Sequence, residues 1–141
     1  MKKSLPSYIA HKGKNLTEAR YSLDLVEQKT LDLAISKVNP NSNELINPYT
    51  VKASELIELN ELDENRYAGR AILKAAKKLR ETTIMIHNED KNTLIGVGLI
   101  TKFEYIYEKK DSEKNVVLKI FFDEELKGEL LYNAKAYQAK K

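Results

Sequence analysis

Basic side chains recur at intervals of four residues in one segment of this 141-residue chain. They are Arg66, Arg70, Lys74 and Lys78. Residues four apart lie on the same side of an α-helix, so a helix here would carry a row of positive charge. A DNA duplex carries one negative charge per about 1.7 Å of its axis, and such a row can bind its phosphates or enter its major groove. The alternative is an ordinary solvated helix surface, which the row alone does not exclude.

The positive charge of the chain is concentrated in this segment. The helix predicted over residues 63–81 has six basic and three acidic residues, so its net charge equals the +3 of the whole chain. Ile72 and Leu79 are expected on the opposite side of the helix, facing the protein. The candidate DNA contacts on this helix are Arg66, Arg70, Lys74, Lys77, Lys78 and Arg80.

Lysines in a predicted turn form a second, weaker candidate. Lys109 and Lys110 lie in the turn over residues 108–115 and could contact the DNA backbone as a wing does. Asp111 and Glu113 in the same turn reduce its positive charge. An ordinary soluble turn is at least as well supported.

Three aromatic residues alternate along a predicted strand. Phe103, Tyr105 and Tyr107 share one face of it, because side chains two apart point to the same side. Aromatic rings can stack on unpaired bases. Core packing or a subunit interface is the stronger interpretation, since an apolar strand face larger than one domain can cover favours dimerisation. We predict a dimer interface at these three residues.

Residues that catalysis or metal binding would need are scarce. The chain has no cysteine and two histidines, His11 and His87, which lack the spacing of metal ligands. It has no nucleophile-elbow motif and no glycine-rich phosphate loop. We therefore expect a binding protein that is not an enzyme and has no metal and no cofactor.

The composition, 42% hydrophobic and 32% charged, is typical of one compact globular domain. No apolar run approaches the roughly 20 residues of a membrane span. The first residues lack the apolar stretch of a secretion signal. We expect no membrane association and a cytoplasmic location.

The hydrophobic periodicity predicts a mixed order of helices and strands. Residues 1–15 are predicted to be a mobile basic arm, and a helix capped by Ser22 follows over residues 20–39. The long strand 94–107 is expected to bend at Gly96 or Gly98. The other predicted elements are a strand at 49–52, a helix at 55–59 capped by Ser54, the helix at 63–81, strands at 83–87 and 116–122, and a last helix at 123–137.

This order predicts the fold class. Two helices that follow a small strand and precede a β-hairpin are typical of a winged helix-turn-helix. We therefore predict an α+β winged helix over residues 16–137, with a small antiparallel sheet and a C-terminal helix.

Three segments resemble one known family. Residues 15–40 contain a Leu-x-Leu-x-Glu-Gln sequence, beginning at Leu23, in a helix that ends in Ser-Lys-Val. Residues 49–86 match a strand, a helix-turn-helix and a further strand. Residues 117–137 contain a Phe-x-x-x-Leu pattern, from Phe122 to Leu126, before the last helix. In this order the segments resemble the first winged-helix domain of the iteron-binding plasmid replication initiators.

The resemblance implies a function and a set of partners. Such initiators have two winged-helix domains, so a second is expected beyond residue 141. They bind repeated origin sites, the iterons, and their dimers bind an inverted-repeat operator. The first domain is the usual unit of homodimerisation, and the host initiator, helicase and chaperones are partners of the monomer that opens the origin. The helix with Arg66, Arg70 and Lys74 matches the position of the recognition helix.

Two other functions remain open at this point. One is a winged-helix transcriptional regulator, which would share the DNA-binding surface without acting at an origin. The other is a pure dimerisation or protein-interaction domain, in which the basic helix is merely solvated.

Overall fold

The computed structural model describes residues 14–42, 44–58, 68–107 and 115–139. The helices in these ranges are α1 (Lys14–Tyr21), α2 (Leu25–Ser36), α3 (Ala53–Glu58), α4 (Ala68–Glu81) and α5 (Lys127–Ala139). The strands are β1 (Tyr49–Lys52), β2 (Thr83–Asn88), β3 (Thr93–Gly98), β4 (Ile100–Ile106) and β5 (Val117–Phe122). Short 3-10 helices cover Glu89–Lys91 and Glu124–Leu126.

The helix predicted over residues 20–39 is two helices, and the predicted cap is wrong. Asp24, not Ser22, is the N-cap of α2: its carboxylate accepts from the backbone N–H of Glu27 at 2.8 Å. The Glu27 carboxylate in turn accepts from the backbone N–H of Asp24 at 2.9 Å, which completes a capping box. Ser22 lies just beyond the end of α1, and its hydroxyl donates instead to the carbonyl of Ala19. The sequence contains the capping-box pattern at this cap, because a glutamate follows Asp24 by three residues and none follows Ser22 at that distance.

The end of the predicted N-terminal arm also differs from the structure. Lys14 and Asn15 begin α1, and Leu16 is buried in the core. The Glu129 carboxylate of α5 accepts from the Leu16 backbone N–H at 2.8 Å and from the Asn15 side-chain amide at 3.1 Å. Residues 1–13 of the predicted arm lie outside the described residues.

The strands form two antiparallel sheets. One has the order β1-β5-β4, and the other is the β2–β3 hairpin. The single strand predicted over residues 94–107 is therefore wrong, and the break falls at Leu99 rather than at a glycine bend. Leu99 is fully buried, and its N–H donates to the carbonyl of Thr82 at 2.8 Å. Burial of this side chain draws the backbone out of the hairpin and into the larger sheet.

The core lies between the helices and one face of the three-stranded sheet. Leu118 and Ile120 of β5 are fully buried on that face, and α4 contacts both β4 and β5. The rings of Tyr49 and Phe122 pack with their centroids 5.7 Å apart. α2 contacts α4 and α5, so the packing fixes α4 between other helices and the sheet.

The starts of two helices also differ from the prediction. β1 is found where predicted, but α3 begins at Ala53, so Ser54 lies inside the helix rather than capping it. The last helix begins as a 3-10 helix capped by Asp123, whose carboxylate accepts from the Glu125 N–H at 2.8 Å, and continues as α5.

Candidate nucleic-acid interface

One side of α4 is buried and determines which way the other side faces. The buried side consists mostly of small residues, which let neighbouring helices approach closely, and α2 and α3 contact α4. Its members are Ala68, Gly69, Ile72, Ala75, Ala76 and Leu79. Because they occupy one stripe of the helix, the basic residues between them must face outward.

The outward side of α4 presents five exposed cations. They are Arg70, Lys74, Lys77, Lys78 and Arg80. Arg70, Lys74 and Lys77 lie nearest the centre of this side, opposite the buried stripe. Lys78 and Arg80 lie on opposite flanks, since a step of two residues turns the helix by about 200°. Arg66, the first residue of the predicted row, lies outside the described residues.

Four of these cations are not used in the fold. The side chains of Lys74, Lys77, Lys78 and Arg80 make no ion pair or hydrogen bond within the described part of the chain. Their charges are therefore available to an external anion. From Arg70 to Arg80 the helix rises about 15 Å, comparable with the roughly 12 Å width of the major groove.

The β2–β3 hairpin tip does not add positive charge to this surface. Lys91 is exposed there beside Glu89 and Asp90, so the tip is slightly acidic. The chain reverses at Asn92, which has a left-handed backbone with φ of 49°. Lys109 and Lys110, the predicted wing contacts, lie outside the described residues.

The predicted aromatic cluster is divided between the core and solvent. In the sheet, Phe103 lies opposite Ile120 and Tyr105 opposite Leu118, so both rings face the core and are half-buried. Tyr107 is exposed, with its ring centroid 5.8 Å from that of Tyr105. The dimer interface assigned to the three residues stays a prediction.

An exposed apolar surface that was not among the predicted sites lies on the β2–β3 hairpin. Met85 and Leu94 are 44% and 52% exposed. Met85 pairs with Gly96, and Leu94 with His87, on the face opposite the half-buried Ile86. The sequence feature that indicates this surface is the series at residues 84–86, which is apolar at every position and therefore on both faces of the strand.

A charged network holds the start of the helix-turn-helix in place. The Lys37 ammonium donates to the Glu55 carboxylate at 2.6 Å and also to the carbonyl of Thr50, and the Lys52 N–H donates to Glu55 at 2.8 Å. Burial alone would raise the pKa of Glu55, but these hydrogen bonds and the two lysine charges outweigh it and hold that pKa below its ordinary value. The network joins α2 to β1 and α3.

None of the helices in the described ranges is long and apolar enough to cross a membrane. The candidate nucleic-acid surface is the outward side of α4, and the exposed apolar side chains of the hairpin are candidates for protein contacts.

The chain is similar to replication proteins over nearly its whole length. Residues 9–139 match the family model described as initiator replication protein, WH1. The crystal structure of the MSBI1.176 WH1 domain, a replication protein isolated from a multiple sclerosis patient, is similar with a TM-score of 0.60 and 25% identity. The match covers 92% of this chain and 98% of that one. No curated protein matches the chain.

These matches confirm the predicted winged-helix fold and the predicted family. The small antiparallel sheets and the helix order of the structure agree with them. The chain belongs to the family of initiator replication proteins, as their WH1 domain.

Proposed function

We propose that this chain is a plasmid replication initiator domain that binds double-stranded origin DNA through the outward side of α4. The observation that carries the proposal is the set of four exposed α4 cations without partners in the described chain: Lys74, Lys77, Lys78 and Arg80. The proposed DNA sites are the origin iterons and, for the dimer, an inverted-repeat operator. The host initiator, helicase and chaperones are proposed partners in the cytoplasm.

The physical basis of binding is charge neutralisation with release of counterions. If each of the four α4 cations without partners neutralises one phosphate, the slope of log K against log salt is about −3.6. Lys78 and Arg80, on opposite flanks, are placed to reach phosphates on the two sides of a groove. Arg70 lies nearest the N-terminus of α4, the end that usually contacts base edges.

The test is fluorescence anisotropy with a labelled 30-base-pair duplex at several salt concentrations. Lys74→Ala combined with Lys77→Ala should weaken binding by tenfold or more and reduce the salt slope by about two. The matched control is Lys91→Ala with Lys135→Ala, which removes the same charge from the hairpin tip and from α5. Equal loss in both double variants, or a flat salt response in the wild type, would overturn the proposal.

We also propose that the chain acts by binding alone. The amines and guanidinium groups on α4 supply charge and hydrogen-bond donors rather than a nucleophile. Incubation of the protein with supercoiled plasmid and Mg²⁺ should leave the plasmid intact, and nicked product that co-purifies with the protein would contradict this.

Dimerisation is proposed at the exposed apolar hairpin and the edge of the larger sheet. Met85 and Leu94 are exposed on the hairpin, and Ile106 and Tyr107 are 43% and 57% exposed at the end of β4. Among the described strands, β4 lies at an edge of its sheet, so its outer backbone groups can pair with a strand of a second copy. This retains Tyr107 from the predicted interface and adds the hairpin to it.

Sedimentation tests the dimer. Met85→Lys with Leu94→Lys should convert a dimer to a monomer, because two desolvated charges would lie in the interface. Tyr132→Lys is the control, since it places a charge at an equally exposed aromatic residue on α5. A dimer that survives the double substitution would remove the hairpin from the interface.

A further inference from the structure

One acidic residue lies in line with the α4 cations. Glu81 is the last residue of α4 and is exposed. It follows Arg70 by eleven residues, or about three helical turns, so both lie near the centre of the outward side. Along this side the charges therefore run from positive at Arg70, Lys74 and Lys77 to negative at Glu81.

Glu81 does not serve the fold in the way that other acids of the chain do. Its carboxylate has no ion pair or hydrogen bond within the described residues, although Lys77 and Lys78 are three and four positions away. Glu55, by contrast, accepts from Lys37 and from a backbone N–H. A carboxylate at a helix C-terminus also opposes the helix dipole, so Glu81 does not stabilise its own helix.

Against a duplex, this carboxylate would have opposite effects in two binding modes. When α4 follows the phosphates without regard to sequence, a negative charge at its end is repelled. When α4 lies in the major groove, a carboxylate can accept a hydrogen bond from the N4 amino group of cytosine. A side chain that is repelled at non-cognate DNA sites and hydrogen-bonds at the cognate site increases the difference between the affinities of the protein for the two kinds of site.

We propose that Glu81 is a specificity-determining residue of the α4 surface: it weakens sequence-independent binding and accepts a hydrogen bond from a cytosine amino group at the cognate site. The proposal rests on DNA binding by α4, as proposed above. It adds a base contact at the C-terminal end of the outward side to the one proposed for Arg70 at the N-terminal end, while the four cations without partners supply affinity.

The experiment compares the wild-type chain, Glu81→Gln and the control Glu124→Gln, which removes an exposed carboxylate from another element. Each protein selects from a pool of randomised 30-base-pair duplexes, and affinities for the selected and the random duplexes are then measured. Glu81→Gln should bind random duplex about threefold more tightly and lose the preference for cytosine at one position. Replacing that C·G pair by T·A should cost the wild type roughly tenfold and the variant little.

The outcomes separate this inference from the function on which it rests. If the wild type selects a motif and Glu81→Gln selects the same motif with the same ratio of affinities, Glu81 has no such role and only this inference fails. If Glu124→Gln behaves as Glu81→Gln does, the effect is one of net charge and the assignment to Glu81 is overturned. If the wild type binds no duplex, both the inference and the proposed function fail.

Discussion

Two groups of cations in this chain differ in what they contact. Arg20 and Lys37 lie on or beside the first two helices and pair with acids: the Arg20 guanidinium donates twice to Asp32, at 2.9 and 2.7 Å, and Lys37 binds Glu55. The α4 residues Lys74 and Arg80 are exposed, and within the described chain their side chains have no such partners. Net charge therefore says little about function here, whereas the pairing of each charge separates cations that hold the fold from cations available to DNA.

The largest expected effect on stability is at the paired group. Arg20→Ala should lower the free energy of unfolding by about 1.5 kcal/mol, because it removes two charged hydrogen bonds and leaves the mostly buried Asp32 without them. Arg80→Ala, which removes the same residue type from α4, should change it by less than about 0.5 kcal/mol. Urea denaturation at one protein concentration measures both.

The reverse ranking of the two stability losses would contradict the division into structural cations and DNA-binding cations. If Arg80→Ala destabilised the protein as much as Arg20→Ala, Arg80 would be a structural residue and the unpaired group would shrink to the three lysines. DNA affinity supplies the complementary measurement: Arg20→Ala should leave it unchanged for folded protein, and Arg80→Ala should weaken it.

A smaller effect is expected at the cap of α2, which carries the paired residue Asp32. Asp24→Ala should cost about 1 kcal/mol, because the Glu27 N–H loses its acceptor and the capping box is broken. Ser22→Ala is the control and should cost less, since its hydroxyl donates to the Ala19 carbonyl, which also accepts from the Ser22 backbone N–H. Thermal unfolding followed by circular dichroism distinguishes the two, and equal losses would restore Ser22 as a capping residue.

The sequence was most informative where one local rule determines the structure. The β-branched residues within Tyr49–Lys52 predicted β1 at its observed bounds, and the apolar stripe of α4 correctly placed its cations outside. The break at Leu99 could not be predicted in this way. Residues on both sides of it favour strand, and only the burial of Leu99 against residues distant in the chain assigns β3 and β4 to different sheets.

For the candidate site, the local spacing rule predicted which α4 side chains face outward but not which of them pair with acids. Spacing gives the direction in which a helical side chain points, but not whether an acid from elsewhere pairs with it. Nothing in the sequence distinguishes Lys37 from Lys74 as a lysine with an acidic partner. In the fold, β1 and α3 place Glu55 beside Lys37, and among the described residues Lys74 has no such carboxylate. The exposed face of the hairpin was missed because its apolar residues look like core residues until the strand pairing is known.

The smallest expected effect concerns pH and the paired residue Glu55. Its pKa in the folded protein is held below the ordinary value of 4.5, with burial opposing and the contacts to Lys37 and Lys52 dominating. A carboxyl group with a lowered folded pKa adds stability above its unfolded pKa, and that stability is lost as the pH falls through the folded value.

Glu55→Gln should therefore be less stable than the wild type at neutral pH, and the difference should narrow as the pH falls below about 4.5. Glu124→Gln is the control for the loss of one carboxylate, because Glu124 is exposed and the described chain gives its side chain no cationic partner. Urea denaturation from pH 7 to pH 3 measures the three curves. A difference for Glu55→Gln that stays constant with pH would mean that its carboxylate charge is not what joins α2 to α3.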